Sequence, residues 1–329
     1  MKKWLTFIVI TFACNFMAQA SEEKHVVMLL WRGITEAEKG YMSYLSERNS
    51  VKFTVLNANR DKATLAAHIS SLEEHQADVI YTFGTTITRT LLGTVDNPSP
   101  FSLTSSTPVV FSIVTDPVGS RITDSLNSDH RNFTGVSHIV PHNVQLKAIS
   151  QLPNVDILGI IYNPLENNAV ITANNIAALG RKFNIQVNLY PLDIVDEKPS
   201  AGSVDIISSK MAEDGVDVAY LPPDSYIIAQ GGVIVDSIHN QGIPTFSATE
   251  SPIRNYDALF GIVSRYYNVG QFAAYKTEQI LNESMNISDI PIEALSQYSY
   301  IVNINAAKQL DYYPPVSILK ISEIIGKQQ

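Results

Sequence analysis

Cysteine is nearly absent from this sequence: of 329 residues only Cys14 is one, and it falls in the leading segment. Downstream of it, disulfides, thiolate metal sites and cysteine nucleophiles are excluded. Positive charge is in deficit as well, with 23 Lys and Arg against 32 Asp and Glu and a formal charge of −9 at pH 7. An acidic body of this kind disfavours nucleic acid and anionic lipid as partners. Beyond the first twenty residues no apolar run approaches the length of a membrane span, so the mature chain is expected to be soluble.

Catalytic signatures are missing too. The chain has no G-x-S-x-G elbow, no H-E-x-x-H, no G-x-x-x-x-G-K-[ST] loop and no G-x-G-x-x-G after a strand. The histidines are scattered singly apart from His138 and His142, and Pro141 between those two argues against a shared helical face and a metal site. No cofactor, no metal and no catalysis are expected, with a hydrolase or other enzyme of unknown chemistry kept as an alternative.

What is present begins with MKKWLTFIVITFACNFMAQA. Lys2 and Lys3 form a basic start, Trp4 to Met17 are mainly apolar, and Ala18-Gln19-Ala20 is an A-x-A site followed by Ser21. That is the three-part secretory signal, with cleavage expected after Ala20. A retained helix and lipidation at Cys14 are the weaker readings; the second suffers because Thr11-Phe12-Ala13 is not the small-residue box expected before a lipidated cysteine. The 309 residues that remain carry a formal charge of −11 and exceed the usual span of one hydrophobic core, which predicts two domains.

Short β-rich runs then alternate with helical patterns. Strands are predicted over His25 to Trp31, Val51 to Leu56, Ala77 to Thr82, Pro108 to Ile113 and Asn132 to Ser137. Helices are predicted over Glu36 to Arg48, Lys62 to His75 and Thr85 to Leu92, and Asn97 to Thr107 reads as a surface loop. A second series follows Pro141, with strands at Ile157 to Tyr162, Gln186 to Leu189, Val216 to Leu221, Ile243 to Phe246 and Ala258 to Val263. Its helices are Asn167 to Phe183, Ser203 to Asp214, Gly231 to Asn240 and the long Tyr266 to Asn282; Tyr300 to Asn303 is read as the last strand. Lys276 interrupts the apolar face of the long helix and is expected to reach its amine outward. Strand–helix alternation of this length implies βαβ units, parallel sheets covered on both faces, and two Rossmann-like α/β lobes of similar size.

Ligands of open α/β sheets sit beyond the carboxyl ends of the strands. That rule selects the loops holding Trp31 and Arg32, Thr85 and Thr86, Thr115 and Asp116, Asn163 and Pro164, Asp224, Glu250, and Arg265 with Tyr266. Each has a structural reading beside the binding one. Thr85, Thr86, Asp116 and Asp224 suit helix caps, Trp31 suits a core, and Arg265 and Glu250 suit surface ion pairs.

The segments VVFSIVTDPVGSRI (Val109 to Ile122), FTGVSHIVPHNVQLKAI (Phe133 to Ile149) and LGIIYNPLENNAV (Leu158 to Val170) resemble the substrate-binding proteins of ABC transporters, in a family with members that bind tryptophan or related amino acids. AYLPPDSYI (Ala219 to Ile227), IPTFSATE (Ile243 to Glu250) and SRYYNVGQFAA (Ser264 to Ala274) extend the likeness in the same order along nearly the whole mature chain. The resemblance implies a periplasmic, monomeric receptor of the type I periplasmic binding fold, with its ligand cleft between the lobes and ABC permease subunits as partners. It implies chain crossings near Ser137 to Val140, Ile262 to Arg265 and Pro291 to Leu295. The lobes would then be 21–137 plus 265–292 and 138–264 plus 293–329, and Ser137 at the first crossing joins the candidate ligand-binding residues. The sequence also departs from the family, which commonly has Asp at the position of Arg265, a second acidic residue at Thr249, and His-Pro in the loop from Trp31 to Thr35.

A zwitterionic amino acid fits this set. Arg265 or the helix start near Thr85 would hold the carboxylate, Asp116, Asp224 or Glu250 the ammonium, and Trp31 with Tyr266 would cover an aromatic or large apolar side chain. The expected function is capture of such a solute by hinge closure for import, with a ligand-sensing receptor domain as the alternative.

Overall fold

The structure, a computed structural model, describes residues 23–127, 131–282 and 285–326. The expected export signal, its cleavage site after Ala20 and Cys14 lie outside the described residues.

Near-continuous runs of Val, Ile, Leu and Phe form the central strands because these strands are buried on both faces, as parallel sheets require. The first sheet uses β1 (Lys24–Leu30), β2 (Val51–Asn57), β3 (Val79–Phe83), β4 (Val109–Val114) and β5 (Phe133–Ser137). Residues 26–30 of β1 are completely buried. The second sheet uses β6 (Ile157–Tyr162) and β7 (Gln186–Pro191), and a small antiparallel hairpin, β8 (Ile194–Val195) with β9 (Lys198–Pro199), stands apart. Next along the chain are β10 (Val218–Leu221), β11 (Thr245–Ser247), β12 (Phe260–Val263), β13 (Glu293–Ala294), β14 (Ser299–Asn303) and β15 (Ser322–Ile325).

Strand order is β13-β5-β4-β3-β1-β2 in the first sheet and β15-β14-β12-β11-β10-β6-β7 in the second. Every pairing in the first sheet is parallel, and in the second only β12 with β14 is antiparallel. Each sheet carries a hydrophobic cluster on both faces, giving two lobes of α/β architecture.

The chain passes between the sheets three times. It leaves β5 at Ser137 for the helix His142–Ile149, whose Leu146 and Ile149 enter the core of the second sheet. It leaves β12 for the helix Tyr266–Leu281, whose Val269 and Ala273 enter the core of the first. Glu293–Ala294, assigned from sequence to the second lobe, pair with Val136 and Ser137 of β5 as an edge of the first sheet, so the third passage begins after Ala294. The chain then ends on the second sheet with β14, β15 and the helices Ile304–Leu310 and Val316–Leu319.

The long helix is seated on the first lobe by backbone-to-backbone packing against the helix Glu36–Ser46. A Cβ on Gly40 would lie 2.1 Å from the Tyr267 carbonyl oxygen, and one on Gly270 1.8 Å from the Ala37 carbonyl oxygen, so each glycine admits the other helix. Tyr41 reinforces the seat by sharing a buried hydrogen bond of 2.8 Å with Thr277. The helix Glu36–Ser46 is itself started by a capping box in which Glu38 accepts from the Thr35 amide at 2.7 Å.

Lys276 departs from the sequence expectation: its side chain is 1% exposed and its amine turns inward. The segment entering β13 covers it and offers the Pro291 carbonyl at 2.7 Å and the Glu293 carboxylate at 2.6 Å, which removes the need to reach water. The surface loop Asn97 to Thr107 contains one short helix, Pro100–Thr104, that apolar periodicity could not reveal. The strand at Ser322–Ile325 was hidden for the same reason, being partly exposed and only four residues long.

Candidate functional site

The loops at the carboxyl ends of β1, β3, β4, β5 and β10 converge on one cleft, joined by the start of the helix Asn167–Gly180 and by Tyr266. The cleft holds about 390 Å³ of empty space, its mouth included. Seven of the thirteen residues singled out from sequence line it: Trp31, Arg32, Thr85, Thr86, Thr115, Asp224 and Tyr266.

Local structure explains how each arrives there. The Trp31 carbonyl accepts from the Arg60 amide at 2.7 Å, and Gly33 turns the chain with φ +85°, so Trp31 and Arg32 project from a fixed loop. Gly84, with φ +80°, turns the chain directly from β3 into the helix Gly84–Leu92. Phe83 occupies the N-cap position without a side-chain cap, leaving the first helical amides free of side-chain partners. Thr85 is therefore not the cap: its hydroxyl accepts from the Thr115 amide at 3.3 Å and ties β3 to β4. Beside it β4 breaks register between Ser112 and Val114, and Ile113, the one β-branched residue with positive φ among the described residues (φ 59°), lines the cleft at that bulge.

Aromatic rings form the walls. The Phe83 and Tyr266 rings stand edge to face with centroids 6.3 Å apart, and the Arg32 guanidinium lies 4.9 Å from the Phe83 ring centre. Among the described residues Arg32 makes no ion pair within 4 Å. Burial pushes the Tyr266 hydroxyl up, and the nearby Arg32 charge works against that shift.

An acid pair faces this cation. Asp224 is completely buried and caps the helix Ser225–Ala229, accepting from the Tyr226 and Ile227 amides at 2.8 and 3.1 Å. Its second oxygen accepts from the Asn163 amide at 2.7 Å. Glu166 accepts from the Ser225 amide at 2.9 Å. Burial raises the proton affinity of both carboxyls, their mutual repulsion raises that of Asp224 further, and the backbone amides act in the opposite sense.

The remaining sequence candidates lie elsewhere. Asn163 is buried under the cleft as the amide partner of Asp224, and neither it nor Pro164 lines the cavity. Ser137 donates to the Thr115 carbonyl at 3.0 Å and supports the floor from behind. Asp116 accepts from the Gly119 amide at 2.8 Å and closes its own turn. Arg265 and Glu250 border a neighbouring cavity that shares Arg32, Ile228 and Tyr266 with the cleft. Both are engaged there: Arg265 pairs with Glu323 and donates to Ser299 at 2.9 Å, while Glu250 accepts from the Tyr266 amide at 2.8 Å and from Arg254 at 3.0 Å. The cation that reaches the cleft is Arg32, not Arg265.

Sequence reasoning did not select His138, Ile113, Asn168 or Ile228, all of which line the cleft. The strand-end rule did reach Phe83, in the loop with Thr85 and Thr86, and it lines the cleft as well. Ile113 belongs to an apolar strand run and reads as core. Asn168 sits inside a helix, where it donates to the Pro223 carbonyl at 2.6 Å. His138 follows directly on a strand, and the same rule that chose Thr115 could have chosen it.

The profile of the family described as ABC transporter substrate binding protein matches residues 27–324 of this chain. A tyrosine-binding protein of Clostridioides difficile (strain R20291) is 24% identical over 284 residues, which cover 84% of this chain and 77% of that protein. Two solved structures align over 92% of this chain and 99% of their own at 22% identity. One is an ABC domain from Streptococcus pneumonia in complex with L-Trp, with a TM-score of 0.79, and the other a conserved domain protein from Vibrio cholerae, with a TM-score of 0.80. The ligand-free, open form of a substrate binding protein with adhesive properties from Clostridium difficile follows at 0.69, with 19% identity over 93% of this chain and all of that one. The two-lobed architecture is that of type I periplasmic binding proteins, and no described helix is long and apolar enough to cross a membrane. With nearly its whole length matched, this chain belongs to the family of ABC transporter substrate-binding proteins.

Proposed function

We propose that this protein captures an α-amino acid with an aromatic side chain, closes its lobes on it, and presents it unchanged to the permease of an ABC importer. The observation that carries this reading is the placement of Arg32, a guanidinium with no ion-pair partner among the described residues, inside an aromatic-walled cleft that also holds the buried Asp224, with the partly buried Glu166 beside it. A zwitterion uses both signs of charge, and the walls suit a flat apolar side chain. Arg32 and the leading amides of the helix Gly84–Leu92 receive the carboxylate. The acid pair faces the ammonium, and Trp31, Phe83 and Tyr266 enclose the ring.

The same reading makes the protein a monomer exported to the periplasm, hinged between 21–137 plus 265–294 on one side and 138–264 plus 295–329 on the other. Binding without turnover agrees with the family and with a cleft whose carboxylates are held by backbone amides. The relatives support the choice of ligand, since one is a tyrosine-binding protein and another was solved with L-Trp. The test is mass spectrometry of small molecules released by denaturing freshly purified protein, followed by calorimetric titration of the recovered compound. One aromatic amino acid near one-to-one stoichiometry is expected. Recovery of a sugar or nucleoside that rebinds, with no heat from any amino acid, overturns the proposal.

A further inference from the structure

His138 is 2% exposed, lines the cleft, and has no hydrogen-bond partner at either ring nitrogen. The Val114 carbonyl lies near enough to favour a proton on the ring, yet makes no hydrogen bond of acceptable geometry with it. Buried polar atoms without partners are uncommon because each forfeits its hydration, so an unmet imidazole in a ligand cleft implies that the ligand completes it. Its surroundings are aromatic and apolar on one side: the Tyr266 ring meets it edge to face at 5.5 Å, and Ile113 and Phe83 line the same cavity.

Neither charged end of an amino acid needs this group. Arg32 is the better partner for a carboxylate and the Asp224–Glu166 pair for an ammonium, because each opposes charge with charge. Burial and the Arg32 charge both oppose protonation, leaving a neutral ring with one donor and one acceptor nitrogen. A neutral donor and acceptor among apolar walls matches a single polar atom on an otherwise apolar side chain. We infer that His138 is a specificity-determining residue whose acceptor nitrogen receives the O–H or N–H carried by the ligand's aromatic ring, so that phenol and indole side chains are chosen over a plain hydrocarbon ring. This inference rests on the proposed amino-acid ligand. A site that offers a buried partner to a ligand O–H or N–H rejects the analogue lacking it, because its own polar group then stays unpaired.

The experiment is calorimetric titration of the full chain with L-tyrosine, L-tryptophan and L-phenylalanine, for the unaltered protein and for His138→Phe and His138→Asn. The unaltered protein should bind tyrosine or tryptophan about tenfold or more tightly than phenylalanine, as one hydrogen bond of ordinary net strength allows. His138→Phe should shrink that gap to less than about threefold, mainly by weakening the polar ligand. A readout that needs no variant is the imidazole nitrogen spectrum of the unaltered protein, in which His138 should shift with tyrosine or tryptophan and hardly with phenylalanine. Equal affinity of the unaltered protein for all three ligands overturns the inference and leaves the amino-acid ligand standing, as does a gap that survives in both variants. Binding of none of the three overturns both.

Discussion

Lys276 and Glu293 meet across the first lobe: the amine of a lysine whose side chain is 1% exposed lies 2.6 Å from a carboxylate that is half exposed. The same amine donates to the Pro291 carbonyl at 2.7 Å and lies 4.8 Å from the Phe272 ring centre. The long helix is thereby clamped to the segment that begins the third passage between lobes. Burial lowers the proton affinity of the lysine, and Glu293 partly restores it.

Glu293→Gln leaves this ammonium with neutral acceptors only and should cost about 1–3 kcal/mol at pH 7. The folded lysine titrates below its ordinary 10.5, so the folded state sheds its proton first and stability rises with pH in that window. The penalty of Glu293→Gln should therefore shrink as pH approaches 10.5, where the buried amine is neutral in both proteins. Urea unfolding at two pH values checks it, and a penalty that grows with pH would refute the clamp.

Gly40→Ala and Gly270→Ala each push a methyl into the carbonyl of the opposing helix, at 2.1 and 1.8 Å. Each should destabilise by about 1–3 kcal/mol or more, although alanine is the better helix former. Thermal denaturation of the two variants measures this directly. An unchanged or higher midpoint would mean that the helices do not pack this closely.

Arg32 and Arg265 should behave differently in binding. Arg32→Gln removes the cleft cation and should weaken an amino-acid ligand by roughly 10- to 100-fold, with little effect on folding. Arg265→Gln breaks the pair with Glu323, half-exposed and already answered by Arg254 at 2.9 Å, and should change affinity only about twofold. Trp31, the single tryptophan among residues 23–326, lines the cleft and offers its emission as the binding signal.

His239 supplies a pH dependence away from the cleft. Burial holds its ring at about 4, below the ordinary 6.5, while its Nε2 lies 3.0 Å from the Thr245 hydroxyl. Because the folded state resists protonation, stability present above pH 6.5 is lost as pH falls from 6.5 toward 4. The raised carboxyls of Asp224 and Glu166 slope the other way, so the comparison must be with a variant. His239→Gln should flatten the acid loss over that window, measured by urea unfolding at intervals of pH. An unaltered slope would place the ring in contact with solvent.

Much of the fold was legible because parallel strands buried on both faces are continuous apolar runs. Ile157–Tyr162 matched residue for residue, and most other strands and helices within a few positions. The helices that went unseen, such as Pro100–Thr104 and Glu250–Asn255, are too short for a 3.6-residue period to register. Lys276 was misjudged because periodicity reports which face of a helix is covered but not what covers it.

Half of the site followed from a rule about strand ends, which is a property of chain order: wherever a strand precedes a loop in a parallel sheet, that loop lies on the ligand side. The sequence alone therefore determined the two α/β lobes, the loops that meet at the cleft, and Trp31, Arg32, Thr85, Thr86, Thr115, Asp224 and Tyr266 among its lining. Which charges remain available there was decided only in three dimensions. Arg265 and Arg32 are alike as letters, but Glu323, far along the chain, folds back to pair with Arg265, whereas no acid among the described residues comes within ion-pair distance of Arg32. Likewise His138 is one of seven histidines as a letter, and only the fold buries it beside Tyr266, at the start of the long helix, with both ring nitrogens unmet. Partnership depends on residues distant in sequence, and that information resides in packing.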